Sequence, residues 1–176
     1  MARPPAVVAD AVHRLIESSA RPVLLIDGGA GSGKTTLARR VAAHWPTSGP
    51  VQVVGLDELY PGWGGLAAGA QAVPELIRGT GFRTWDWGRN APGGWRSLSL
   101  THPLIVEGCG AITASSRALA GLALWLEVDA SARRRRALAR DGAEFATHWD
   151  DWAAQEAAHW LADRPWDLAD ITIETT

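Results

Sequence analysis

Along this chain, short unbroken apolar runs alternate with stretches in which apolar residues recur every three to four positions. Val8, Ala11, Val12, Leu15 and Ile16 fall at helical spacing, which predicts an amphipathic helix over 4–19, ahead of the first strand. Val23 to Ile26 is a short β-rich run of the kind a strand buried on both faces needs. Thr35 to Ala43 returns to the helical period, with Leu37 and Val41 apolar against Arg39 and Arg40. Further strands are predicted over Val51 to Leu56, Pro103 to Val106, Leu122 to Val128 and Ala169 to Thr175. Between them, 61–69 is glycine-rich and reads as a loop, 70–78 as a short helix, and 79–100 as irregular. Helices are expected over Thr113 to Ala120, Ala130 to Arg140 and Thr147 to Ala162, with Asp141-Gly142 as a break between the last two. Strands alternating with helices predict one doubly wound α/β domain over 1–176, with a parallel sheet and right-handed crossovers.

The turn after the first strand carries the strongest chemical signal. Gly28-Gly29-Ala30-Gly31-Ser32-Gly33-Lys34-Thr35-Thr36 contains the pattern G-x-x-x-x-G-K-T, the phosphate-binding P-loop or Walker A motif. Its glycines allow a turn whose backbone N–H groups converge on one anion, at the start of a helix whose dipole favours negative charge. Lys34 supplies a point charge for the β- and γ-phosphates, and the Thr35 hydroxyl a ligand for Mg²⁺. Lys34 is also the only lysine in the chain, the other sixteen basic residues being arginines. A compact ammonium is retained where it must meet phosphate.

Composition narrows the class without changing it. At 176 residues, 47% hydrophobic and 20% charged, the chain reads as an ordinary globule able to bury a core. A net charge of −2 excludes a general electrostatic drive toward nucleic acid. One cysteine, Cys109, excludes an internal disulfide framework and reads as a buried thiol. The N-terminal stretch has the pattern of neither a signal peptide nor a membrane span, so the protein is expected in the cytoplasm, away from membranes. The five histidines show no metal-ligand spacing.

Several other groups suit phosphoryl transfer. Asp57 and Glu107 each follow a predicted parallel strand, and ligands of open parallel sheets bind beyond the carboxyl ends of the strands. One carboxylate is needed for Mg²⁺, directly or through water; the other can accept a proton from an acceptor hydroxyl. Arg133, Arg136 and Arg140 are spaced i, i+3, i+7, which aligns them along one helix face that could close over a nucleotide as a lid across about 130–147. Tyr60, Trp85, Asp86 and Trp87 could form an aromatic acceptor slot with a carboxylate to grip hydroxyls.

The order Gly28–Thr35, Asp57-x-x-Tyr60, Ile105-Val-Glu-Gly108, then Arg133/Arg136/Arg140-Asp141, resembles the uridine kinase family of P-loop nucleoside kinases over about 23–173. The resemblance implies the three-layer P-loop NTPase fold, with five parallel strands in the order 2-3-1-4-5, and ATP with Mg²⁺ as cofactors. It implies Asp57 as the base for a nucleoside 5′-hydroxyl and Glu107 with Thr35 on Mg²⁺, Asp57 remaining a further candidate ligand. Tyr60 would line the acceptor site, Asp86 would grip ribose hydroxyls, and Arg136 and Arg140 would belong to the lid. Two departures stand out: the insert between Asp57 and Leu104 is rich in Trp and Gly, and no arginine-bearing lid loop follows Asp141. The expected activity is transfer of the ATP γ-phosphate to a small hydroxyl acceptor, a nucleoside first. The alternatives are a kinase for another small alcohol and a nucleotide-binding protein acting through a partner.

Overall fold

The structure, a computed structural model, describes residues 1–174, excluding the side chains of residues 141, 143 and 144. Its strands are β1 (Val23–Gly28), β2 (Gln52–Gly55), β3 (Gly81–Asp86), β4 (Ala91–Ser97), β5 (Leu104–Glu107), β6 (Leu122–Glu127) and β7 (Ile171–Glu174). Five of them form a parallel sheet in the order β2-β5-β1-β6-β7, which is 2-3-1-4-5 when the parallel strands alone are counted. In this register Ile26 and Gly55 both lie opposite Glu107, and Gly28 lies opposite Leu126. The carboxyl ends of four strands therefore finish along one rim.

Helices cover both faces because β1 is apolar on both. All six of its residues are buried. Alternation sends Leu24 and Ile26 into one core with Val8, Val12 and Leu15 of α1 (Ala6–Ser18) and Leu37 and Val41 of α2 (Lys34–Ala43). Val23 and Leu25 enter the other core with Val73, Leu76 and Ile77 of α3 (Leu66–Arg78). Burying Leu24, Leu25 and Ile26 contributes about 1.5–3 kcal/mol each.

Three expectations need correction. The stretch 79–100 is not irregular: β3 and β4 form an antiparallel hairpin with a register shift between Arg83 and Trp85. Pro92-Gly93-Gly94 hides the second strand, because proline and glycine weaken the strand pattern. Arg96 holds the hairpin to the sheet by pairing with Glu58 and donating to the Val53 carbonyl at 2.7 Å. Helix α3 starts at Leu66, inside the predicted loop, since Leu66 is buried and Gly69 packs where a Cβ would stand 2.5 Å from the Tyr60 ring. The helix after β5, α4 (Ala114–Arg117), is a single turn.

The two predicted C-terminal helices run as one element, α5 (Ala130–Asp163), in which the expected break survives as a kink at Gly142 with φ 70° and ψ −153°. A short α6 (Pro165–Leu168) leads into β7; Thr175, the predicted end of that strand, lies outside the described residues. Among the described residues, no helix is long and apolar enough to cross a membrane.

Candidate active site

The P-loop wraps the N-terminus of α2 at the sheet rim. Gly33 is the N-cap, at φ 97°, with nothing within 4 Å of the place a Cβ would occupy. Among the described residues no side chain caps α2 and no acidic residue sits in its first turn, so its N–H groups face a cleft of about 550 Å³. Ala30, Gly31, Gly33, Lys34, Thr35 and Thr36 line that cleft, whereas Gly28, Gly29 and Ser32 of the same loop do not.

Lys34 is buried, its ammonium donating to the carbonyls of Gly28 at 2.8 Å and Gly29 at 3.0 Å. Burial pulls its pKa down, but the negative surroundings of Cys109, Glu107, Glu156 and Asp27 outweigh burial and leave it raised. Burial pushes the Cys109 thiol far up, so at neutral pH the three carboxyl groups carry this effect. Lys34 is a permanent cation at the loop.

Thr35 donates its hydroxyl to Glu107 Oε1 at 2.8 Å. Burial raises the Glu107 carboxyl, with Lys34 and the Thr35 hydrogen bond partly offsetting it and Asp57 adding to it. Asp57 is exposed on a 3₁₀ turn (Leu56–Glu58) directly beyond β2. The two carboxylates converge on Gly55: a Cβ there would stand 2.3 Å from Asp57 Oδ1 and 3.4 Å from Glu107 Oε1. Two carboxylates and one hydroxyl, all hard oxygen donors, fit Mg²⁺, which keeps several waters and asks for few protein ligands. No cluster of three or more His, Cys, Asp or Glu able to hold a metal is found among the described residues.

The predicted acceptor slot is rearranged. Tyr60 and Trp87 line the cleft, joined by Trp63, Phe145 and Trp152. Trp87 donates its indole N–H to the Asp57 carbonyl at 2.8 Å, tying the hairpin turn to the 3₁₀ turn. Trp85 and Asp86 do not line the cleft; Asp86 Oδ1 accepts the Arg89 N–H at 3.1 Å within the hairpin turn.

The three spaced arginines divide as well. Arg133 is buried, donating to the Ala30 carbonyl at 3.3 Å and Glu156 Oε2 at 3.1 Å, with its guanidinium 5.2 Å from the Trp160 ring centre. It braces the P-loop from behind. Arg140 lines the cleft within electrostatic reach of Glu107, and Arg136 is exposed on the helix outside the lining.

Several contributors lie outside the sequence motifs. Asp27, fully buried at the end of β1, accepts N–H groups from Gly28 at 2.6 Å, Gly110 at 3.1 Å and Ile112 at 2.9 Å, pinning the segment after β5 to the P-loop. Arg39 reaches the cleft one helical turn beyond Thr35, a spacing visible in the sequence. Glu156 was visible only as a lone carboxyl on the apolar face of Trp149, Trp152 and Trp160.

No family model matches the chain, and no curated protein matches it. Among solved structures, a possible uridine kinase from Bacillus stearothermophilus superposes with a TM-score of 0.58 at 18% identity, covering 95% of this chain and 99% of that one. A proposed fructose transport system kinase from Silicibacter sp. TM1040 superposes with a TM-score of 0.62 at 18% identity, covering 96% of this chain and 98% of that one. The chain thus shares the α/β fold of these two structures over nearly its whole length.

Proposed function

We propose that this protein is an ATP-dependent kinase that transfers the γ-phosphoryl group to a hydroxyl of a small molecule. The observation that carries the reading is the convergence of Asp57 and Glu107 on Gly55, with Glu107 held by Thr35 and Asp57 facing the cleft. A nucleotide binder needs a phosphate cradle and a metal ligand; a second carboxylate on the same cleft adds the base that transfer to a hydroxyl requires.

The chain's own groups divide the work. The open N-terminus of α2 and the Lys34 ammonium bind the β- and γ-phosphates. Thr35 and Glu107 would hold Mg²⁺, which when bound neutralises charge on the phosphate oxygens. Asp57 accepts the proton of the acceptor hydroxyl as its oxygen bonds to the γ-phosphorus and the bond to the β–γ bridging oxygen breaks, leaving ADP. Arg140 adds positive charge at the transferring group. The resemblance to uridine kinases, and the structural neighbours named as uridine and fructose transport system kinases, put nucleosides and sugars among the acceptors to try.

The test is ADP release from Mg-ATP with nucleosides, sugars and small alcohols added singly. Acceptor-dependent release that falls by about 10²–10⁴ in Asp57→Ala, with ATP binding kept within a few-fold, is the expected result. ATP binding with no acceptor-stimulated turnover would instead mark a nucleotide-binding protein that works through a partner.

A further inference from the structure

The kinase reading leaves the body of the acceptor open, and the walls of the cleft bear on it. Its polar lining consists of Lys34, Thr35, Thr36 and Arg39 on α2, with Glu107 and Arg140 beside them: the phosphate end. Asp57 stands at the junction. Beyond it the walls are the rings of Tyr60, Trp63, Trp87, Phe145 and Trp152.

Three of these rings have their polar handles bonded to the protein itself. The Tyr60 hydroxyl donates to the Cys109 carbonyl at 2.7 Å, Trp87 to the Asp57 carbonyl at 2.8 Å, and Trp152 to Glu156 Oε1 at 3.1 Å. Phe145 has none. Trp63 is held by its neighbours, stacked with His148 at 4.5 Å and 14° and tilted against Trp87 at 5.0 Å. No Asn, Gln, Ser or His lines the cleft among the described residues, and Asp86 is engaged in its own turn. A nucleobase edge or a ring of sugar hydroxyls laid against these three rings exchanges water for polar atoms that are already engaged. An apolar ring loses nothing and gains offset or edge contacts with the indoles. A cationic amine is also poorly served, because among the described residues the lining carries Lys34, Arg39 and Arg140 against two carboxylates, Asp57 and Glu107.

We infer that the acceptor is an alcohol carried on an apolar aromatic ring, the ring seated among Trp63, Trp87 and Trp152 and the hydroxyl presented to Asp57. This rests on the kinase reading for the role of the hydroxyl, while the ring site rests on the cleft walls alone.

Calorimetric titration of the Mg-ADP complex with 2-phenylethanol, 3-phenyl-1-propanol, uridine, fructose and choline separates the two. The aryl alcohols should bind at least about tenfold more tightly than the other three, and should stimulate ADP release from Mg-ATP. Trp63→Ala should weaken aryl-alcohol binding by about tenfold or more and Trp63→Phe should restore most of it, with the melting shift caused by Mg-ADP reporting that each variant is folded. Aryl alcohols that bind without stimulating ADP release would uphold the ring site and overturn the kinase reading. Uridine, fructose or choline binding more tightly than every aryl alcohol, or no binding by any aryl alcohol, would overturn the inference. So would aryl-alcohol binding unchanged in Trp63→Ala, and turnover driven by uridine alone would do so while leaving the kinase reading intact.

Discussion

Glu156 Oε1 accepts the backbone N–H of Ala30 at 2.6 Å, joining α5 to the P-loop across 126 positions of sequence. The carboxylate is fully buried and also receives Arg133, Trp152 and Cys109, at 3.1, 3.1 and 3.2 Å. One side chain therefore joins the phosphate loop, both halves of α5 and the segment after β5.

Removing it leaves the Arg133 charge and the Ala30 N–H buried without their partner. Glu156→Ala should cost about 3–5 kcal/mol of stability, as for one half of a buried ion pair. Glu156→Gln, which can still accept from Ala30 but loses the charge facing Arg133, should cost less. Urea unfolding of the three proteins measures both differences.

Gly55→Ala separates the site from the fold. Gly55 has φ −85° and ψ 133°, which any residue adopts, so its backbone is unstrained by the change. The new methyl would meet Asp57 Oδ1, the end of a side chain able to move aside. Stability should change by less than about 1 kcal/mol, whereas acceptor-dependent turnover should fall at least about tenfold. Parallel melting and turnover assays compare the two readouts.

Lys34→Ala should weaken the nucleotide complex and lower turnover together, by about 10²–10³ in kcat/KM, because the ammonium is a buried cation held inside the phosphate loop. Fluorescent-nucleotide titration alongside ADP release would detect loss of one without the other.

His159 gives the fold a pH signature. It is buried with Nε2 3.7 Å from Asp27 Oδ2 and Nδ1 3.0 Å from Asp163 Oδ2. Burial pulls its pKa down, but the negative charges of Asp27 and Asp163 outweigh burial and raise it above the ordinary 6.5. A raised folded value means the native state binds the proton more tightly. Its stabilisation is fully present below pH 6.5 and is lost as pH rises through the raised value. Melting temperatures between pH 6 and about 9 should fall in the native protein, and His159→Gln should flatten that dependence.

Glu107 runs in the opposite sense for ligand binding. Burial raises its carboxyl, and Mg²⁺ needs the ionised form, so Mg-ATP affinity should decline on acidification from a higher pH than for an ordinary carboxyl. Titrations at graded pH in native protein and Glu107→Gln test this, the variant showing weak affinity with little pH dependence.

What the sequence determined by itself was local. The P-loop is a backbone conformation written in adjacent residues, so Gly33, Lys34 and Thr35 are legible without any partner. The apolar runs mark strands, and Asp57 and Glu107 follow two of them directly. Tertiary structure decided everything that depends on how elements rotate against one another. The spacing of Arg133, Arg136 and Arg140 aligns them on a helix, but packing drove Arg133 under the P-loop and left only Arg140 on the cleft. Pro92-Gly93-Gly94 obscured a hairpin strand, and the pairing of that strand with β3 sets Trp87, rather than Trp85 or Asp86, on the cleft. Glu156 and Ala30 have no shared pattern along the chain. Only burial in one core, where an unpaired N–H and an unpaired charge are both costly, brings them together.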